Sequence, residues 1–175
     1  MNLNSDFDQR VVQSARDAVW TPSPLPGVER RMLDRIGIEV ARGGCTLFVK
    51  LWQFAADDLA PVRIDTSKAS WHPGLVPGLS VMPLHEHEGV STALVRWAPQ
   101  TRFNTHTHPG GEEILVLEGV FRDELGEYAA GTWLRSPRGS RHTPYTGAEG
   151  ALIYVKVGAI GADFMPLSAA RRQAQ

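Results

Sequence analysis

Two short runs hold the side chains best suited to chemistry. The first is His106-Thr107-His108-Pro109-Gly110-Gly111-Glu112, with Gly119 further along. The second comprises Gly131, then Pro137 and Gly139, then His142. On a strand, residues i and i+2 face the same side, so His106 and His108 project two imidazoles into one space. The Pro-Gly-Gly at 109–111 predicts a tight turn that returns Glu112 beside them on the next strand. In the second run a strand ends in a Pro/Gly turn, and His142 is expected to start the following strand. Three neutral imidazoles and a carboxylate form a mixed nitrogen and oxygen donor set. It suits zinc, iron(II), manganese, nickel or copper, and is less suited to calcium or magnesium. Four such ligands leave room on a five- or six-coordinate ion for water or a substrate.

Such side chains need a turn-rich β scaffold to position them. The 175 residues include 17 Gly and 12 Pro, scattered without a period, which argues against a helical bundle. Apolar runs at 45–54, 91–98, 114–121, 132–135 and 151–157 alternate with Gly/Pro segments, the pattern of a sandwich or barrel. Residues 5–19 are polar with a few apolar positions and predict a short helix or an edge arm; residues 166–175 predict a short helix or a frayed tail. Hydrophobic residues make up 42% of the chain, enough for a packed core. Eighteen Lys and Arg against 19 Asp and Glu leave a net charge of −1, so no basic excess points to nucleic acid. No apolar run approaches a membrane span, and the N-terminus has no basic start of a secretory signal. The single Cys45 permits no internal disulfide and fits a reducing, cytoplasmic setting.

The chain also repeats itself in part. Trp20-x-Pro22-x3-Pro26-Gly27 recurs as Trp71-x-Pro73-x3-Pro77-Gly78, and the run from Gly44 to Leu51 echoes the run from Gly150 to Val157, with Lys50 matching Lys156. The earlier copy lacks a middle and cannot enclose a core. Its apolar residues Leu47, Val49, Leu51 and Phe54 are therefore expected to pack on the complete unit or on another subunit. The expected organisation is an arm and incomplete repeat at 1–69, a complete barrel at 70–160 and a tail at 161–175. Unpaired strand edges of this kind predict a homodimer.

The spacing His106-x-His108-x3-Glu112-x6-Gly119 resembles the first cupin motif, and Gly131-x5-Pro137-x-Gly139-x2-His142 resembles the second. The resemblance implies an all-β, double-stranded β-helix (jelly-roll) barrel with extra N-terminal strands. It also implies one divalent metal ion per chain, zinc or iron(II) first, with His106, His108, Glu112 and His142 as ligands. Many cupins place the carboxylate one residue later, where Glu113 stands; only Glu112 preserves the interval to Gly119, and strand parity lets only one of the two face inward. The run from Gly110 to Glu124, with Leu134-Arg-Ser-Pro137, is similar to the ChrR-like cupins, a group that includes the C-terminal domain of zinc-dependent anti-sigma factors. Those factors also carry a helical zinc domain with His and Cys ligands. This sequence has one Cys and no His before His72, so sigma-factor binding is not expected.

The resemblance implies a metalloenzyme of oxygenase type acting on a small oxygen-bearing substrate, or else a zinc-binding sensor or regulatory module without catalysis. Phe103, Trp133, Arg135, Tyr145 and Tyr154 are candidate pocket residues, although aromatic residues also fill a barrel core. No catalytic acid or base is assigned; Glu113, Glu118, Asp123 and Glu124 read first as solvated or ion-paired carboxylates. His85-Glu86-His87-Glu88 repeats the i, i+2 histidine pattern but reads as a solvated loop before a strand.

Overall fold

The computed structural model describes residues 8–14, 48–50 and 55–158 in full, and the backbone of strand residues between 21 and 47. Among the described residues there is no helix, and the strands run β1 (Val11–Gln13), β2 (Thr21–Pro22), β3 (Glu29–Met32), β4 (Gly37–Ala41), β5 (Cys45–Val49), β6 (His72–Pro73), β7 (Leu79–His87), β8 (Val90–Trp97), β9 (His106–His108), β10 (Glu112–Asp123), β11 (Gly126–Ala129), β12 (Trp133–Ser136), β13 (Ser140–His142) and β14 (Tyr145–Val157). The all-β expectation holds. The main antiparallel sheet has the order β1-β12-β10-β14-β8-β7-β6, with β11 also paired to β10. β13 and β9 form a separate pair, and β2 to β5 form a four-stranded meander.

Both faces of the central strands are covered. Ile114, Val116, Leu134 and Ile153 point to one side and join Leu79, Trp97, Phe121, Tyr128 and Ala151 in the main core. Their neighbours in sequence point the other way: Leu115 and Trp133 form a second cluster with Val11, Phe48 and Tyr154. The start of β10 is therefore buried at five successive residues, and an apolar-polar alternation never develops there. Among the residues at the end of β5, the side chain that packs is Phe48, edge-on to Tyr154 with ring centroids 5.4 Å apart. Leu51 and Phe54 lie outside the described residues, as does the side chain of Leu47.

The strands expected at 91–98, 114–121, 132–135 and 151–157 are β8, β10, β12 and β14. β7 went unmarked because Pro83 interrupts it and its last residues are polar. Proline is tolerated there because β6 reaches only Ser80 and Val81, and a bulge follows Pro83. His85 and His87 thus belong to a strand, which corrects the loop reading. Val11–Gln13 takes the edge-arm alternative, pairing with β12. The tail beyond residue 158 lies outside the described residues.

The pairing of β10 with β14 is interrupted by register shifts between Val116 and Glu118 and between Gly119 and Phe121, irregularities of the kind that bend a strand. Gly119 has φ of +69°, and a Cβ built on it would stand 2.2 Å from the carbonyl oxygen of Gly150. Gly150, at φ of +63°, is equally close-packed against Trp97 O, 2.5 Å from its would-be Cβ. Two strands approach here with no room for a side chain, which is what Gly119 contributes. Gly119→Ala is expected to lower stability by at least about 2 kcal/mol, read as the thermal unfolding midpoint; an unchanged midpoint would refute this account of the bend.

Candidate metal centre

The antiparallel pair β9 and β13 assembles the histidines. His142 lies directly across from His106, and Ser140 across from His108. His142 therefore closes β13 rather than opening the next strand, a difference that follows from pairing with β9. The two Pro/Gly turns converge on one acceptor: the carbonyl of His108 receives N–H bonds from Gly111 at 3.1 Å and Gly139 at 2.8 Å. From across the barrel interior β10 contributes Glu112, whose cross-strand partner is Ser136.

His106, His108, Glu112 and His142 each offer one donor atom, and these atoms lie within 4.8 Å of one another. His108 Nε2 and His142 Nε2 are 3.1 Å apart, and Glu112 Oε2 stands 3.5 Å and 3.6 Å from them. Donors each about 2.1 Å from a shared ion stand roughly 3.0–3.4 Å apart. Glu112 is 6% exposed, and its Oε2 is buried without a hydrogen-bond partner. An orphaned carboxylate oxygen facing imidazole nitrogens fits a shared cation. The other side of two of the rings faces an oxygen. His106 Nδ1 donates to the carbonyl of Asn104 at 3.0 Å, and His142 Nδ1 faces Asp123 Oδ2 at 3.7 Å.

Burial governs the electrostatics. It raises the carboxyl of Glu112 to about 7, against the opposing charge of His142. It lowers His108 to about 4, helped by repulsion from His142 and His106, and it lowers His106 too. His106 and His108 are thus kept neutral and fit to ligate. Burial alone would raise Asp123 as well, but the facing His142 Nδ1, hydrogen bonds from Tyr128 and the Leu125 amide, and the charge of Arg10 hold it at about 2.

Glu113 faces the opposite side of the sheet. Its cross-strand neighbours there are Arg135 and Lys156, and it forms an ion pair with Lys50. Arg135, Trp133 and Tyr154 share that side, where Trp133 and Tyr154 belong to the second apolar cluster. Geometry therefore corrects the reading of these three as pocket residues, because strand parity directs them away from Glu112. Tyr145 is likewise turned away: its register partner is Arg122, next to the inward-facing Phe121, and it stacks beneath Arg102. Phe103 does meet the site, edge-on to His106 with centroids 4.9 Å apart. Sequence reasoning missed Phe121, 6.4 Å from the His142 ring; Asp123, read as solvated or ion-paired, is 3% exposed and ion-paired with Arg10.

The comparisons bear on this geometry. The profile of the ChrR cupin-like domain matches residues 59–161, well over half of the chain. The chain belongs to the ChrR cupin-like family. Solved structures share the cupin fold: a cupin-like protein of unknown function from Ralstonia eutropha (18% identity, TM-score 0.53, 59% of this chain and 70% of that one) and a proposed acetylacetone dioxygenase from Methylibium petroleiphilum (16%, 0.54, 69% and 98%). The anti-sigma factor ChrR of Rhodobacter sphaeroides, solved in complex with SigE, is also similar (23%, 0.48, 54% of this chain and 52% of that one). No curated protein sequence matches significantly. Among the described residues, no helix of this cupin is long and apolar enough to cross a membrane.

A second cluster lies elsewhere on the cupin. His85 Nε2 meets Asp58 Oδ2 at 2.7 Å and His87 Nε2 meets Asp57 Oδ1 at 3.1 Å, so each outer ring nitrogen already has a carboxylate. Asp57, His87 and Glu88 offer a more exposed donor group. These contacts clasp residues 57–58 to β7, and replacing both histidines by Ala is expected to leave metal content per chain unchanged; loss of metal would contradict the clasp.

Glu112 yields a test of the main centre. In the metal-free protein its ionised form is destabilising, because its folded pKa of about 7 lies above the ordinary carboxyl value of 4.5. Its burial cost is thus absent at low pH and develops as pH rises from about 4.5 through 7. Glu112→Gln is expected to empty the centre yet make the metal-free protein more stable than wild type at pH 8, by on the order of 1–3 kcal/mol, with the difference shrinking at pH 5. Glu113→Gln is expected to keep the metal. Metal analysis and thermal melts check both, and loss of metal in Glu113→Gln alone would reverse the assignment.

Proposed function

We propose that this cupin binds one divalent metal ion per chain through His106, His108, Glu112 and His142, and that it is a metalloenzyme of oxygenase type acting on a small oxygen-bearing substrate. The carrying observation is Glu112 Oε2, buried without a hydrogen bond and facing imidazole nitrogens. Bound there as iron(II), a metal would supply Lewis acidity and the electrons that activate dioxygen. The chain's residues do the rest. Four protein ligands on a six-coordinate ion leave two positions, enough for one substrate oxygen beside dioxygen or for a chelating substrate alone. Phe103 and Phe121 flank His106 and His142 with apolar surface, which limits water at the reacting groups. In an oxidative cleavage of a carbon–carbon bond the substrate itself supplies all four electrons that dioxygen accepts, and both oxygen atoms end in the two carbonyl products, so no external reductant is needed. The proposed activity of the Methylibium fold neighbour suggests a β-diketone as first probe.

Membership of a family typified by ChrR favours one second reading, a zinc-holding sensor or regulatory module without turnover. In either reading the protein is a cytoplasmic homodimer, with residues 1–69 as an arm and incomplete repeat beside the barrel at 70–160. Sigma-factor binding forms no part of the proposal.

Elemental analysis of protein purified without added metal, followed by oxygen-electrode measurements with 2,4-pentanedione, separates the readings. The oxygenase reading predicts iron or manganese and substrate-dependent oxygen uptake that His108→Ala abolishes. Stoichiometric zinc, with no uptake after iron, manganese or nickel reconstitution, would replace it with the regulatory reading.

A further inference from the structure

We propose that Asp123 is a positioning residue for the metal ligand His142, and that Arg10 ties this device to the N-terminal strand, so that metal binding and docking of β1 are coupled. The inference rests on the metal-binding reading above and adds residues outside the ligand set.

Asp123 sits at the end of β10, with a side chain only 1% exposed. Its Oδ1 accepts three hydrogen bonds, from Tyr128 Oη at 2.7 Å, Leu125 N at 2.8 Å and Gly126 N at 3.1 Å. Its Oδ2 accepts from Arg10 Nη2 at 2.7 Å and faces His142 Nδ1 at 3.7 Å. The backbone donors fix the orientation of the carboxylate, and Arg10 compensates its charge. A fixed anion next to Nδ1 favours the tautomer with the proton on Nδ1. That leaves the lone pair on Nε2, the atom that faces His108 and Glu112. A carboxylate or carbonyl behind a ligating imidazole orients the ring and raises its basicity. His106 has the carbonyl version of this arrangement, through Asn104 O.

Arg10 links the device to distant chain. It also donates to Tyr128 Oη at 2.8 Å, and its guanidinium lies 5.4 Å from the centre of the Tyr128 ring. The next three residues are β1, whose only sheet partner among the described residues is β12. Undocking β1 would remove Arg10 and leave Asp123 buried with an uncompensated charge beside a metal ligand. Whatever metal affinity docked β1 adds, bound metal must return as stability of that docking.

A bland alternative is that Asp123 only caps the turn between β10 and β11. The two roles separate by experiment. Zinc affinity is measured by chelator competition in wild type, Asp123→Asn, Arg10→Met, Arg10→Lys and Tyr128→Phe. Side-chain 15N shifts of His142 report its tautomer in the metal-free proteins, and hydrogen exchange reports β1 with and without zinc. Asp123→Asn is expected to weaken zinc binding 10- to 100-fold and to disturb the Nδ1–H tautomer. Arg10→Met should weaken binding and Arg10→Lys should restore it. Tyr128→Phe, which removes one donor and keeps the carboxylate, should stay within about threefold of wild type. Zinc should slow exchange in β1 of wild type but much less in Arg10→Met. A folded Asp123→Asn that binds zinc as tightly as wild type with an unchanged tautomer would overturn the proposal. If Asp123→Asn does not fold, wild-type affinity and wild-type exchange in Arg10→Met would overturn it instead. Failure of wild type itself to bind zinc, iron, manganese or nickel would overturn the metal-binding reading as well.

Discussion

A carboxylate does not stay ionised inside a protein without a partner, and Glu112 has no hydrogen-bond partner for its inward oxygen. That constraint organises the rest of the molecule. Burial pushes the group toward neutrality, while His106 and His108 are kept from protonating by the same burial. One divalent ion would make the carboxylate and the imidazole nitrogens mutually compatible. The turns that meet at the His108 carbonyl, the pairing of β9 with β13 and the bend at Gly119 all serve to hold donor atoms from three strands within a few ångströms.

The neighbouring Glu113 shows how the same strand addresses two environments. On its side of the sheet it meets Lys50, Lys156 and Arg135. Lys50 and Lys156 are the matching residues of the partial internal repeat, and both approach one carboxylate. Lys156 is held down to about 8 by burial first and by the charge of Lys50 second. The metal centre and the contact with the N-terminal segment are thus built back to back on β10, sharing a sheet but no side chains. Arg10 ties β1 to the side of the metal centre through Asp123.

Much of this was readable from residues. The histidine pair, the Pro/Gly turns and the all-β architecture follow from periodicity and spacing, and the choice of Glu112 over Glu113 from the resemblance to the first cupin motif; the geometry groups His106, His108, Glu112 and His142. What escaped did so for definite reasons. Asp123 differs in parity from Glu112, and counting along a regular strand sends it to the opposite face. The extra residue that β10 accommodates between Val116 and Glu118 reverses its parity and turns Asp123 inward. Trp133, Arg135 and Tyr154 looked like pocket residues because nothing local shows that the outer face of the sheet is also covered. β7 was hidden by Pro83, tolerated only because the strand is poorly paired on that side. Long-range pairing decided each case.

The most direct measurement is anomalous diffraction from crystals of the protein carrying its copurified metal, recorded at the absorption edge of the element that elemental analysis identifies. The account predicts one strong peak per chain, bonded to His106, His108 and His142 through Nε2 and to Glu112 through Oε2. A metal-loaded crystal with its peak elsewhere, or with Glu112 swung away from the ion, would contradict it.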